Sequence, residues 1–200
     1  MHEKRIYLSV YVAITFMLGG LLVWLTAVGA QTVNVTGQAR AVGANFHGTT
    51  TFLADTGTLA GPNDERDASL ETTSIPSLLS GEVLGAATMS WPDEVDSEAS
   101  LANLSLTVGG NGIAADFVMA QASASLSAKS SGWSIIDGLS INGSAVAVTG
   151  APNQKVTFPG GFVIINEQYG TANLITVNAL RIHVPGTGDV VIGSATAGIN

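Results

Sequence analysis

After Ala30 the chain alternates apolar and polar residues in runs broken by glycine. From Thr32 to Ala41, Val33, Val35, Ala39 and Ala41 share one parity. Thr32, Asn34, Thr36, Gln38 and Arg40 share the other. A period of two marks a half-buried strand, because successive side chains point to opposite faces. Thr49-Thr50-Thr51-Phe52-Leu53 is rich in β-branched residues and reads as a second strand. Leu104, Leu106 and Val108 alternate with Ser105 and Thr107, and Gly109-Gly110-Asn111-Gly112 then predicts a turn. Ile113, Ala115, Phe117 and Met119 hold odd positions, while Ala120, Ala122, Ala124, Leu126 and Ala128 hold even ones. The phase flips near Met119-Ala120, which predicts a bulge or a bend. Asn142-Gly143 lies between Leu139–Ile141 and the alternating run Ala145–Val148. That dipeptide is a hairpin signal, because both turn positions need φ > 0. Gly160-Gly161 separates two further apolar runs in the same way. Leu174–Val184 is apolar on nearly both faces, which predicts a central strand buried on each side. Pro185-Gly186-Thr187-Gly188 turns the chain into Val190–Ile192.

Three stretches break the alternation. Gly61–Glu71 is the most polar and reads as a solvated loop. Ser74–Met89 is mixed and reads as short strands. Trp91-Pro92-Asp93-Glu94-Val95-Asp96-Ser97-Glu98 has an early proline and acids in a first turn, which fits a short helix or an acidic loop. The whole predicts an all-β chain of about ten short strands, arranged as an antiparallel β-sandwich or jelly-roll-like domain. No fixed repeat is visible, so a β-solenoid is the second choice.

The start of the chain differs from the rest. Lys4 and Arg5 precede Ile6–Val28, a run without charge, and Val28-Gly29-Ala30 offers a cleavage site before Gln31. This is the order of a secretory signal. Residues 1–30 are therefore expected to form an N-terminal hydrophobic signal helix, a signal peptide or an uncleaved signal anchor. Residues 31–200 are expected to form a single β-rich extracellular domain. The protein is then secreted or cell-surface, and it meets the membrane only through an uncleaved leader, with Lys4 and Arg5 held inside.

Composition sharpens this picture. Charged residues are only 11% of the chain against 46% hydrophobic ones, which favours a packed domain over disorder. The net charge is −8, and removing Glu3, Lys4 and Arg5 (one acid, two bases) makes it −9. Arg40, Arg66, Lys129, Lys155 and Arg181 are the strong cations left, and they are scattered along the sequence. Nucleic-acid binding needs a basic patch, so that partner is not expected. With no cysteine, disulfides, thiolate metal sites and a Cys nucleophile are excluded.

Four stretches of the second half carry a family likeness. Ser100–Leu106 leads into Ile113-Ala114-Ala115-Asp116. Leu139-Ser140-Ile141-Asn142-Gly143 is followed by Val148-Thr149-Gly150-Ala151-Pro152-Asn153-Gln154. Then come Ile164-Ile165-Asn166-Glu167-Gln168 and Thr176–Gly186, the last running into Gly188–Ala195. In these stretches the chain resembles the choice-of-anchor P family of exported bacterial surface proteins. The resemblance covers about half of the chain and implies an exported domain whose attachment to the envelope varies between members. It implies no assigned activity and no functional residues. Members often carry cysteines and continue into a C-terminal anchor. This sequence has no cysteine and stops at Asn200, so anchoring is expected through an uncleaved leader, through assembly, or not at all.

Signatures of catalysis are missing from the sequence. Gly138-Leu139-Ser140-Ile141-Asn142 fails the nucleophile-elbow pattern, Gly186-x-Gly188 lacks the third glycine of a dinucleotide loop, and no phosphate loop is present. His183 beside Arg181 reads either as a general base or metal ligand, or as a rim histidine with a satisfied hydrogen bond. Asp93, Asp96 and Glu98 are candidate calcium ligands, set against the commoner outcome of a solvated acidic loop; no other cofactor is expected. Trp133, Trp91 and Tyr169 are candidate platforms for a sugar ring, set against packing in the core or in turns. Trp133 is favoured because Gly132-Trp133 reads as part of a Ser/Gly turn.

Three functions are weighed on these grounds. The first is a non-catalytic cell-surface or extracellular-matrix structural or adhesion protein, whose partners are envelope or matrix components or its own copies joined through strand edges. The second is a carbohydrate- or ligand-binding module. The third is an extracellular hydrolase using paired carboxylates.

Overall fold

Alternating positions become strands throughout residues 32–200, the part of the chain described by the computed structural model. The leader expected over residues 1–30 lies outside the described residues. Val33–Asn200 forms one compact unit with a hydrophobic core of its own, of the size and kind from which a single domain folds. Among the described residues no helix is long and apolar enough to cross a membrane.

The architecture is an antiparallel β-sandwich. Sheet A contains β1 (Val35–Phe46), β2 (Thr49–Asp55), β10 (Gln154–Phe158), β11 (Gly161–Gly170), β12 (Leu174–Val184) and β13 (Gly188–Ile199). Its order is β10-β11-β12-β13-β1-β2. Sheet B contains β3 (Glu65–Ile75), β4 (Leu79–Ser90), β5 (Glu94–Val108), β6 (Asn111–Ser125) and β7 (Ala128–Asp137), with the short β8 (Ser140–Ile141) and β9 (Ser144–Ala145). Its order is β3-β4-β5-β6-β8-β9, and β7 pairs with β6. Neighbours in each sheet follow one another in sequence except β1 with β13 and β6 with β8. The sandwich is therefore a pair of meanders rather than the crossed Greek keys of a jelly roll. It closes into no barrel.

Several expectations change once the strands are seen. Glu65–Glu71, expected to belong to a loop over Gly61–Glu71, is instead part of the edge strand Glu65–Ile75: its polar residues are tolerated because one of its edges and much of its surface face water. Leu79–Ser90 is one long strand rather than several short ones. The acidic stretch begins β5 at Glu94 and forms no helix, because Val95, Ser97 and Ala99 alternate inward against sheet A. Gly132-Trp133 lies inside β7 and not in a turn. A Cβ on Gly132 would fall 2.3 Å from Val177 Cγ2, so glycine is what lets β7 pass this close to sheet A. Asn142-Gly143 forms the expected hairpin, with φ of 52° and 75° joining β8 to β9.

Alanine fills the centre of the core. Ala39, Ala99, Ala120, Ala122, Ala179 and Ala195 are all fully buried where the middle strands of the two sheets face each other. Small side chains allow close approach, and buried hydroxyls then bridge the sheets. The Thr88 and Ser97 hydroxyls lie 2.7 Å apart, and Ser97 Oγ donates to the Thr196 carbonyl at 2.7 Å. Asn111 donates to Pro159 O at 2.9 Å, and Gln168 donates to Gly132 O at 3.0 Å. Satisfied in this way, the buried polar groups add no desolvation penalty.

Each sheet is creased along a line that crosses its strands. In sheet A, Arg40 pairs with Ser194 and Val42 with Ile192, so Ala41 stands opposite Gly193. The same register places Ala54 on β2, Ala179 on β12 and Asn166 on β11 in that row. Ala54, Asn166 and Gly193 have φ of 45°, 51° and 62°. At this row the in–out alternation slips, and Ala41-Val42, Ala179-Leu180 and Ile192-Gly193 are consecutive buried pairs. The slip explains why Leu174–Val184 reads as apolar on both faces. After the exposed Leu174 its outward side chains are Thr176, Asn178, Arg181 and His183, so β12 is not apolar on each side.

Sheet B slips in the opposite sense. Glu82-Val83 on β4, Ala102-Asn103 on β5 and Asp116-Phe117 on β6 are consecutive outward pairs. Val83 and Asn103 take φ of 48° and 51°. The bend expected at Met119-Ala120 therefore falls a few residues earlier. The two slips change exposure in opposite ways: in sheet A an extra row is buried and a groove opens beside it, and in sheet B an extra row faces water.

Candidate functional site

The hollow face of sheet A gathers the chemistry. Just to one side of the crease, ladder pairing lines up Glu167, Asn178, Ser194, Arg40 and Asp55 across five strands. The row on the other side carries Lys155, Ile164, Arg181, Val191, Gly43 and Phe52. One row further, His183 faces Asp189. Arg40, Lys155 and Arg181, three of the five cations that look scattered in sequence, thus share one face.

Burial shows how far the face is hollowed. Glu167 and Asn178 point outward, yet they are only 7% and 5% exposed. A buried carboxylate persists only if it is paired, and Glu167 is. Asn178 Nδ2 donates to its Oε2 at 2.6 Å, and Arg181 Nη1 donates to its Oε1 at 3.0 Å. The other arm of Arg181 reaches Asp189 Oδ1 at 3.3 Å, and His183 Nδ1 meets the same oxygen at 2.9 Å. The hydrogen bond to Glu167 raises the pKa of Arg181 above its ordinary value, against the effect of burial. His183 also stacks near Phe162, with centroids 5.1 Å apart, and so sits as a rim residue tied to Asp189.

A second cluster stands across the groove. Arg40 Nη2 donates to Asp55 Oδ2 at 2.8 Å, and its guanidinium lies 3.6 Å from the centroid of Phe52. Burial pushes Asp55 up. Hydrogen bonds from Arg40, Gln38 and the Gly57 N–H outweigh that and hold the carboxyl below its ordinary value. Between the clusters runs a groove of about 250 Å³, walled at β2 by Phe52 and Thr50 and at β11 by Tyr169. Asn45, Asn178, Asp189 and Ser194 project into it from the strands between.

The aromatic candidates separate. Tyr169 lies in this groove, 57% exposed. Trp133 is exposed on the outer face of sheet B, opposite Gln121, and Trp91 is exposed in the turn between β4 and β5. They form no shared platform. Asp96 and Glu98 both line a groove of about 210 Å³ on sheet B, but Asp93 stays in the turn before β5. Among the described residues no three His, Asp or Glu side chains gather as metal ligands, so Asp93, Asp96 and Glu98 do not make one set. A larger cleft of about 410 Å³ opens at the end of the sandwich near Thr171–Leu174 and Gly198–Asn200, and among the described residues no charged or aromatic side chain lines it.

Sequence reasoning missed Arg40, Phe52, Asn178 and Asp189. The usable signal was the set of charged residues inside apolar strands, Arg181 and His183 above all. Their convergence depends on strand register, which no local pattern reveals.

Fold and groove define a class: an open antiparallel β-sandwich with a polar, aromatic-walled groove across one sheet. No protein-family model matches this chain, and neither does any curated protein or solved structure.

Proposed function

We propose that this chain is an exported, non-catalytic structural or adhesion module of the choice-of-anchor P type, acting at the cell surface or in the extracellular matrix, and that copies associate through β3. One observation carries the reading. Along its whole length β3 pairs with β4, and its other edge pairs with no strand among the described residues. Unpaired main-chain groups on a long edge are a template for another strand.

The side chains of β3 suit a second copy of itself. In an antiparallel two-fold pairing centred on Leu70, Glu65 faces Ile75, Asp67 faces Thr73 and Glu71 faces Ser69. No acid then meets an acid, and the exposed Leu70 meets its own symmetry mate. The export part of the reading draws on the leader pattern and on the family resemblance.

Light scattering on Val33–Asn200 over a wide concentration range tests the association. The expected result is a dimer or larger assembly that Leu70→Lys dissociates, because two ammonium groups would then face each other at the axis. A monomer at every concentration would sink the edge-pairing model.

A further inference from the structure

We infer that the groove across the outer face of sheet A is a binding site for a neutral, hydroxyl-rich ligand: a carbohydrate of one or two pyranose rings, free or at the end of a longer glycan. The inference is independent of pairing through β3, which lies in the other sheet.

Charge decides the ligand class first. Arg40 is neutralised by Asp55, and Arg181 is shared by Glu167 and Asp189. No guanidinium is left over to attract a phosphate, sulfate or carboxylate, and Lys155, the third cation of this face, lies over Phe162 and does not line the groove. Glu167 and Asp189 share the one guanidinium of Arg181, so one carboxylate charge stays unmatched by arginine and repels an anion further. What the groove offers is a dense set of neutral or neutralised hydrogen-bonding groups, namely Asn45, Thr50, Asn178, Ser194 and Asp189. They include both donors and acceptors. Vicinal hydroxyls, each donor and acceptor together, are the complement of such a surface.

Shape and apolar area decide the rest. A volume of about 250 Å³ falls just below the ~300–1,000 Å³ of sites for drug-sized molecules, which suits one or two rings. Phe52 stands 49% exposed at one end with Arg40 against its ring, and Tyr169 stands exposed at the other. Aromatic faces left in water beside polar groups match the C–H faces of a pyranose, whose hydroxyls lie around its rim.

The groove is also held in shape. Glu167 fixes Asn178 at 2.6 Å and Arg181 at 3.0 Å, and Asp189 is fixed by Arg181 and His183. Side chains ordered before binding lose little entropy when they bind. The site lies on strands, and the crease that hollows it is built into the backbone at Gly193, Asn166 and Ala54.

The test is calorimetric and NMR titration of Val33–Asn200 with neutral tetrasaccharides of glucose, xylose, galactose and N-acetylglucosamine, with inorganic phosphate and sulfate alongside. At least one neutral sugar is expected to bind, with little dependence on salt. Tyr169→Ala and Phe52→Ala, both at exposed positions and checked for folding by circular dichroism, are each expected to weaken it about tenfold or more. Trp133→Ala, on the other sheet, is expected to leave it unchanged. Three outcomes would each overturn the inference: no sugar bound at millimolar concentration, phosphate or sulfate bound in preference, or binding lost in Trp133→Ala but kept in both groove variants.

Discussion

The alternation slips in opposite senses on the two sheets, and their outer faces therefore meet water differently. On sheet A the crease draws outward side chains together, and Glu167 and Asn178 end up buried although they point away from the core. On sheet B the crease turns an extra row to water, and Val83 stands 69% exposed at its line. The charges follow the exposure. Sheet A pairs its acids with Arg40 and Arg181. Sheet B aligns Asp67 with Glu98 in one row and Glu65 with Asp96 in the next, with no cation in either row. Water screens acids on an exposed face, and in a groove they need partners of their own. An identical residue type is thus structural on one face and solubilising on the other.

Removing a carboxylate from each face is the sharpest way to break that comparison. Glu167→Ala leaves Arg181 and Asn178 without their main acceptor. It is expected to lower unfolding stability by about 2 kcal/mol, under the ~3–5 kcal/mol of a fully buried pair because Arg181 is 40% exposed. Glu98→Ala on sheet B is expected to change stability by less than about 0.5 kcal/mol. Urea unfolding of the two variants measures both, and equal losses would refute the contrast.

The creases themselves come next. Val83 is β-branched in a left-handed conformation, which costs about 1–2 kcal/mol in an L-residue. Its side chain is mostly in water and contributes little packing. Val83→Gly is expected to raise stability by up to about 1 kcal/mol in the same assay, the gain limited by the freedom glycine adds to the unfolded chain. A loss would mean that the conformation at this line is not strained.

Acid separates the faces more gently. The carboxyl of Asp55 is held below its ordinary value in the folded state, so it adds stability above its unfolded pKa of about 3.9. That stability disappears as pH falls through the lower folded value. Asp55→Asn is expected to be less stable than the parent at neutral pH and to converge with it below about pH 4, as thermal melts across pH would show. The smallest effect belongs to Glu98→Lys. Breaking the acidic rows of sheet B is expected to add only about 0.2–0.5 kcal/mol, and less at high salt.

Much of the fold was legible because its turns are chemically explicit. Asn142-Gly143 marks its hairpin, and the alternation in Thr32–Ala41 and Leu104–Val108 marks strands with one wet face. The creases were not legible as such. A slip of one position erases the period over a few residues, so Leu174–Val184 looked apolar on both sides when past Leu174 only its inward set is apolar. Strand β3 was hidden for a different reason: an edge strand need not bury a continuous face, so Glu65–Glu71 looked like loop. In the groove, Tyr169 could be singled out as an aromatic, but Phe52 and Arg40 meet it only through the pairing of β1 with β13, whose residues lie at opposite ends of the described chain.

That pairing also sets an order of events. Strands β3 to β7 form a meander of near neighbours, whose short sequence separations favour early pairing. Sheet A cannot do the same. Its central strand β13 follows every other described strand in sequence, and until it pairs β1 and β2 have no neighbour in sheet A beyond their own hairpin. Through that interval the alanine-rich inner face of sheet B is uncovered and the hairpin is unanchored. Completion of the sandwich is then a single late step that joins the two ends of the domain, and the groove comes into being only with it.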